Sequence, residues 1–442
     1  MKKWIACFAV LLVLVLCVGC SGKTTLNGTD ISAYTIVYAP DAPDYCQRAA
    51  TYIQRQILSR TGVELPVCEA ADTVYDHEIV VGETNRGISQ QLDAETENVE
   101  FALLADENHI AMEGDYFIIA AAAYYFVENY IPGEKFKSTV PAEVTVCQPI
   151  TEKAKNFMFL IGDGMGANHT RLIGAEDTDT WKGKDGEDIF YGYYLPYQGM
   201  IRTDSLSGVT DSAAGATALA CGYKTVNGYV GRDQDLNDVQ SLTELAASMN
   251  RATAVMSTDQ MNGATPAGFS AHANDRGDTD AILACQRDMM SRNGTVFECG
   301  LHSTEKYETY IQEVLSELEG SEQGFFLMYE EGYIDKFSHK MQLEGAFDSM
   351  LRFNQAIGVF MEYAFYHPDT FLLITADHET GGLMPDQENG YAFHTESHTA
   401  ADVPIFAYGQ GAETFRDYYE ENNEVPKVIA ALWGVPNFGD NG

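Results

Sequence analysis

Ser212 stands in the stretch GVTDSAAGATALACG, Gly208 to Gly222, among small residues and directly after Asp211, which reads as the capping residue of a short helix. No G-x-S-x-G elbow surrounds it, so either something distant activates the hydroxyl or the stretch is only a helix start. Other reactive side chains are scattered. Asp163 lies in GDGMG, Glu331, Asp335 and His339 in EEGYIDKFSHK, Asp377 and His378 in ADHETGG, and His398 in HTESHTAADVPIFAYG, with His394 as a rival. Singly, each has a bland reading: a glycine-rich turn, an i,i+4 ion pair on one helix face, a capping aspartate. The four carboxylates Asp163, Glu331, Asp335 and Asp377, with His339 and His378, would repel one another if brought to one place unless cations neutralise them. Carboxylate with imidazole suits Zn²⁺; carboxylate with hydroxyl and water suits Mg²⁺.

The elements that must position these residues are legible as apolar runs. Asn156–Gly162, Thr253–Thr258, Gly324–Glu330 and Thr370–Ala376 read as strands buried on both faces, with helical stretches between them. This predicts an α/β fold, a doubly wound and mostly parallel sheet sandwiched by helices, with ligands at the carboxyl ends of the strands. Asp163, the 331–339 cluster and Asp377–His378 each come directly after such a run. Upstream, YTIVYA, ELPVCE and HEIVVGET read as strands, FALLADENHIAMEG as a hairpin, and Asp44–Arg60 and Asp115–Tyr130 as helices. They make a small α/β domain over 31–150, ahead of a larger one over 151–442. The small domain resembles those preceding the catalytic domain of some carbohydrate-processing enzymes, most closely at EIVVGETNR, and reads as a structural or docking module whose ligand the sequence does not identify.

The 442 residues suffice for two domains. Asp and Glu outnumber Lys and Arg by 65 to 27, a formal charge of −38, which argues against nucleic acid as a partner. An anionic substrate would need local positive charge, for which metal ions are the obvious source. Lys2, Lys3 and the apolar run Trp4–Val18 read as an export signal over 1–20. Its end, CVGCSG, resembles a lipoprotein signal with Cys20 as the lipidated residue and 21–30 as a tether, although Cys17 stands where leucine is usual. Lipidation is favoured over plain cleavage or an uncleaved anchor, and it would hold the protein to the outer face of the cell membrane by the lipid only. Of the remaining cysteines, Cys285 with Cys299 is the first guess for a disulfide.

In order along the chain, FLIGDGMG, VTDSAAGATALACGYKTVNG, GATPAGFSAHANDR, EEGYIDKFSH, TADHETGG and SHTAADVPIFAYG resemble the alkaline phosphatase family. The resemblance implies a metal-dependent hydrolase of small phosphate monoesters with two zinc ions and one magnesium ion. Ser212 would be the phosphorylated nucleophile. Asp163, Asp377 and His378 would hold one zinc, to which the serine oxygen also binds, and Asp335, His339 and His398 the other. Asp163, Thr265 and Glu331 would hold magnesium, and Arg276 would grip phosphate. One zinc would activate the serine; the other would stabilise the leaving oxygen and later supply hydroxide.

This chain departs from the family at Gly263, where relatives carry an aspartate or histidine. A weaker third site, or Asn262 as substitute, is therefore expected. Lys336 fits a bacterial variant that contacts phosphate through water, and without an acid at 263 it is expected to approach phosphate more directly. The segment from Arg276 to Glu331 is shorter than in longer relatives, which leaves a homodimer and the rim of the site open. The competing readings are a diester, sulfate or phosphonate hydrolase of the same superfamily, a lipid-tethered binding protein with a decayed catalytic domain, and a Ser-His-Asp triad built on Ser212.

Overall fold

The computed structural model describes residues 24–71, 73–92, 94–173, 189–303, 306–387 and 390–440. The signal segment with Cys20 lies outside them. Two large sheets occupy successive stretches of chain. The first has six strands, β1 (Thr35–Tyr38), β2 (Val67–Glu69), β3 (Glu78–Val81), β4 (Phe101–Ala105), β5 (His109–Glu113) and β6 (Thr145–Cys147), in the order β2-β1-β3-β5-β4-β6. Its first four members in that order run parallel, and β4 pairs antiparallel with both neighbours. Helices α1 (Asp44–Thr61) and α2 (Ile118–Tyr130) pack on it. The second helix starts later than the expected Asp115 because Tyr116 takes a left-handed backbone, φ 47°, which no helical turn accommodates.

The second sheet carries the chemistry. Its strands are β7 (Asn156–Gly162), β8 (Tyr197–Arg202), β9 (Ala252–Ser257), β10 (Val296–Cys299), β11 (Phe325–Glu331), β12 (Thr370–Thr375), β13 (Val403–Tyr408) and β14 (Tyr418–Glu421), ordered β10-β9-β11-β7-β12-β13-β8-β14. The four apolar runs form the parallel centre, β9-β11-β7-β12, as their all-apolar pattern requires. β13 pairs antiparallel with both β12 and β8. Because β7 lies between β11 and β12, the ends of these three strands open side by side, neighbours being about 4.8 Å apart. Helix α3 (Ser212–Cys221) and the long α4 (Leu343–Tyr366) flank the sheet, and α4 also receives α2 of the first domain.

Beside that contact Arg48 of α1 holds Glu362 of α4 through paired hydrogen bonds of 2.8 Å (Nε–Oε1) and 2.8 Å (Nη2–Oε2). Tyr52 meets Tyr366 with ring centroids 4.3 Å apart. The expected Cys285–Cys299 disulfide is absent. Both thiols are free, Cys285 facing the His272 carbonyl from a helix and Cys299 facing the Val255 carbonyl from the sheet. Among the described residues no helix is long and apolar enough to cross a membrane.

Candidate active site

Ser212 is the first residue of α3, whose cap Asp211 accepts a hydrogen bond from the Ala214 amide at 3.0 Å. The serine is buried, at the positive end of a helix dipole, so negative charge on or near its oxygen is favoured. Asp211 does a second job. Its Oδ2 accepts from Arg276 Nη1 at 3.1 Å and from the Gly228 amide at 3.1 Å, which sets the guanidinium beside the start of the serine helix.

The three strand ends bring the other residues to this point. Asp163 comes after β7, Asp377 and His378 come after β12, and Asp335 lies on the helical turn Tyr333–Ser338 beyond β11. Gly164 keeps them close. It has φ 76°, and a Cβ there would stand 2.9 Å from Thr380 Oγ1 and 3.0 Å from Asp335 Cα, so a side chain would push the site apart.

His378 Nε2 lies 3.2 Å from Ser212 Oγ, 3.3 Å from Asp377 Oδ2 and 3.6 Å from Asp163 Oδ1. His339 and His398 direct their Nε2 atoms to Asp335 Oδ1, at 3.3 and 3.4 Å, and to each other at 3.0 Å. His394, the rival of His398, instead joins its backbone to the Gly381 carbonyl.

All three imidazoles are oriented from behind. His339 Nδ1 meets the Glu396 carbonyl at 2.5 Å and His398 Nδ1 the Thr210 carbonyl at 2.8 Å. His378 Nδ1 meets Thr380 Oγ1 at 3.2 Å; that hydroxyl donates its own proton to Asp335 Oδ1 at 2.6 Å, so it can only accept from the ring. Each Nδ1 therefore carries hydrogen, and each Nε2 lone pair points into the same cage.

Such convergence suits divalent cations. Asp163 Oδ1 and Asp377 Oδ2 are buried and accept no hydrogen bond, and two facing Nε2 lone pairs at 3.0 Å repel unless a positive charge lies between them. Two sets, Asp335/His339/His398 and Asp163/Asp335/His378, each offer donor atoms close enough to share one ion. The electrostatics of the buried aspartates and of His378 agree. Burial, and then the nearby Asp377, Asp335 and Glu330, push Asp163 well above the usual carboxylate range. Burial, with Asp335 beside it, pushes Asp377 up to about 7. Asp335 goes the other way despite burial, held down by the adjacent His398 and His378 and by the hydrogen bond that Thr380 donates. His378 is held well below its ordinary value by burial and then by His398, so its lone pair is free for a ligand.

The structure revises the third set of residues. Glu331 turns away from the cage: Arg352 binds it through Nε at 2.7 Å and Nη2 at 3.1 Å, and Thr258 and the Tyr333 amide complete its contacts. Adjacent residues on a strand face opposite ways, and Glu330 is the one that faces in. Its carboxylate accepts from Ser257, lies beside the buried Thr265 hydroxyl, and is pushed up to about 8 by burial, with Asp259 adding to the rise.

Asp259, also unforeseen, takes the space that the missing acid would use. A Cβ on Gly263 would stand 2.9 Å from Asp259 Oδ2. Asp259 Oδ1 pairs with Lys336 Nζ at 2.5 Å, so the lysine has an acidic partner after all and is not released toward phosphate. Asn262 does not substitute; its amide reaches outward to Thr279 Oγ1 at 3.4 Å.

A serine at a helix start faces a cage of carboxylates and imidazole nitrogens at the carboxyl edge of a doubly wound sheet, an arrangement able to hold divalent cations beside a nucleophile. The family model for alkaline phosphatase matches residues 154–302 and 301–395, more than half of the chain. The chain belongs to the alkaline phosphatase family. Alkaline phosphatase 3 of Bacillus subtilis is 26% identical over 307 residues, covering 57% of this chain and 66% of that protein. The alkaline phosphatase of Escherichia coli is 35% identical over 149 residues, 33% of this chain and 31% of that protein. The chain thus spans just under two thirds of the first relative's length and about a third of the second's. The solved alkaline phosphatase of the Antarctic bacterium TAB5 aligns with 65% of this chain and 99% of its own, at 25% identity and a TM-score of 0.55.

Proposed function

We propose that this protein is an exported phosphomonoester hydrolase that forms a phosphoserine at Ser212 and depends on two zinc ions and one magnesium ion. The observation that carries this reading is the shared orientation of His339, His378 and His398, each spending Nδ1–H on an oxygen acceptor and turning Nε2 into the carboxylate cage. The same observation speaks against a Ser-His-Asp triad. In a triad the aspartate accepts from the ring nitrogen opposite the serine, whereas Asp163 and Asp377 lie on the same Nε2 edge of His378 as Ser212.

In this proposal Asp163, Asp377 and His378 hold one zinc and Asp335, His339 and His398 the other, with imidazole and carboxylate as suitable donors. Magnesium falls to Asp163, Thr265 and Glu330, an all-oxygen set, with Asp259 and Lys336 behind it. A relative from TAB5, a histidine-to-glutamate mutant, is described with magnesium bound in its M3 site, which supports a third site in this family. Bound cations supply acidity to the serine oxygen and offset charge on the phosphoryl group.

The chain's own residues do the rest. The start of α3 favours the serine alkoxide, and Ser212 Oγ bonds to phosphorus as the ester oxygen leaves with the alcohol. Arg276, steadied by Asp211, offers its fork of donors to two phosphate oxygens. Water then cleaves the phosphoserine, releasing phosphate and restoring the hydroxyl. Export and attachment through a lipid on Cys20 belong to the same proposal, supported by the CVGCSG segment.

The test is hydrolysis of p-nitrophenyl phosphate by the metal-loaded protein, by its chelated form and by Ser212→Ala. Loss of turnover by about a thousandfold or more is expected in both altered forms. Undiminished turnover in either would overturn the reading.

A further inference from the structure

The smaller domain has a cavity of about 760 Å³ of its own, within the size range of small-molecule sites. It is lined by the segments that leave the parallel strands: Ala39–Pro43 after β1, Ala70 and Ala71 after β2, Gly82–Asn85 after β3, and Gly114–Tyr116 after β5. The chain leaves β1 through α1 to reach β2 on one side, then returns to β3 on the other. The cavity therefore lies at the carboxyl ends of the strands where their order reverses, the place at which open α/β sheets bind ligands.

The loops that line it are tied together from behind. Glu78 and Arg86, the first and last residues of EIVVGETNR, form a buried bidentate pair, Nε–Oε2 at 2.7 Å and Nη2–Oε1 at 3.0 Å. Arg86 also donates to the Ala71 and Thr73 carbonyls at 3.0 and 2.7 Å, tying the loop after β3 to the loop after β2. Ser89 Oγ bridges that loop internally, donating to the Gly82 carbonyl and accepting from the Thr84 amide. On the opposite side Tyr116 holds its left-handed backbone against Tyr191 and Tyr194 of the larger domain, at ring distances of 5.2 and 5.5 Å. Such a conformation in a bulky residue persists only where packing enforces it.

The lining chooses the chemistry. The charged residues around the cavity are Asp41, Glu83, Glu113 and Asp115, all acidic. Phosphates, sulfates and uronic acids are repelled, so this is no second phosphate site. Carboxylate, amide and hydroxyl oxygens arranged around a space this large match the hydroxyl groups of a polyol, and Tyr45, Tyr116, Pro40 and Pro43 in the lining add the apolar surface that a sugar ring also requires. We propose that the cavity binds a neutral saccharide, independently of the phosphatase site.

The test uses the full chain on an array of neutral, anionic and amine-bearing oligosaccharides, followed by calorimetry with the best-retained neutral one. Asp41→Asn with Glu83→Gln changes two exposed lining residues that have no part in the phosphatase site. Wild-type protein should retain neutral saccharides. The double variant should bind them at least about tenfold more weakly, with p-nitrophenyl phosphate hydrolysis unchanged. Retention of no neutral saccharide, retention confined to anionic or amine-bearing ones, or wild-type affinity in the double variant would overturn the proposal. None of these outcomes depends on turnover, so failure here is distinguishable from failure of the phosphatase reading.

Discussion

Thr380 decides what His378 can do. Its hydroxyl donates to Asp335 and accepts from Nδ1, so the lone pair of Nε2 faces Ser212 and the carboxylates. Thr380→Val keeps the shape and removes both bonds. The expected outcome is zinc affinity lower by about 10- to 100-fold, the usual consequence of losing an orienting partner, measured by competition with a chromophoric chelator. Most residues of the cage are legible in the sequence, because Asp163, Asp335, Asp377 and His378 each come soon after an apolar run. Thr380 is not, since a threonine two residues beyond a ligand has no pattern of its own. Glu330 is hidden for a related reason. Two glutamates in sequence leave only strand alternation to separate them, and which face is inward depends on Arg352, far along on α4. Asp259 becomes visible only in the fold, where its carboxylate occupies the space that a side chain at 263 would take.

Among the elements, the short helix Leu242–Ser248 shows how one carboxylate supports two structures. Glu244 closes the capping box with Ser241, and its other oxygen meets His272 Nε2 at 3.0 Å, while His272 Nδ1 meets the Gly231 carbonyl at 2.7 Å. Burial opposes both charges, yet their hydrogen bond raises His272 and lowers Glu244 relative to their ordinary values. A raised histidine contributes stability that is complete below its unfolded value of about 6.5 and is lost as pH rises through the folded one. A lowered glutamate contributes above its unfolded value of about 4.3 and is lost on acidification. The pair is therefore most stabilising between about pH 4.3 and 6.5. Glu244→Gln, which retains a capping-box residue, should lower Tm more at pH 5.5 than at pH 8.5 in thermal melts. Element positions themselves are readable from period: the four central strands and the hairpin β4–β5 fall where apolar runs and turn residues predict. The start of α2 is not, because packing against the other domain enforces the backbone of Tyr116.

At the scale of the whole molecule, the two domains share a packed seam, and α4 belongs to both. Gly358 on α4 admits Phe117; a Cβ there would stand 2.2 Å from the Phe117 ring. Gly358→Val should cost about 1–3 kcal/mol through overpacking, read by denaturant unfolding, with the seam opening to protease before the metal cage is lost. Nothing in the sequence marks this glycine, since it sits inside an ordinary amphipathic helix and its reason lies more than two hundred residues away in the chain. The seam also ties the acidic cavity to the larger domain through Tyr116, so the domains are expected to present their sites in fixed relation. The proposed chemistry turns on one oxygen atom, Ser212 Oγ. Its most direct measurement is mass spectrometry of the zinc- and magnesium-loaded protein, quenched in acid during turnover of a phosphate monoester. The expected result is a single phosphate on the peptide carrying Ser212; steady turnover with Ser212 unmodified, or phosphate on another residue, would contradict it.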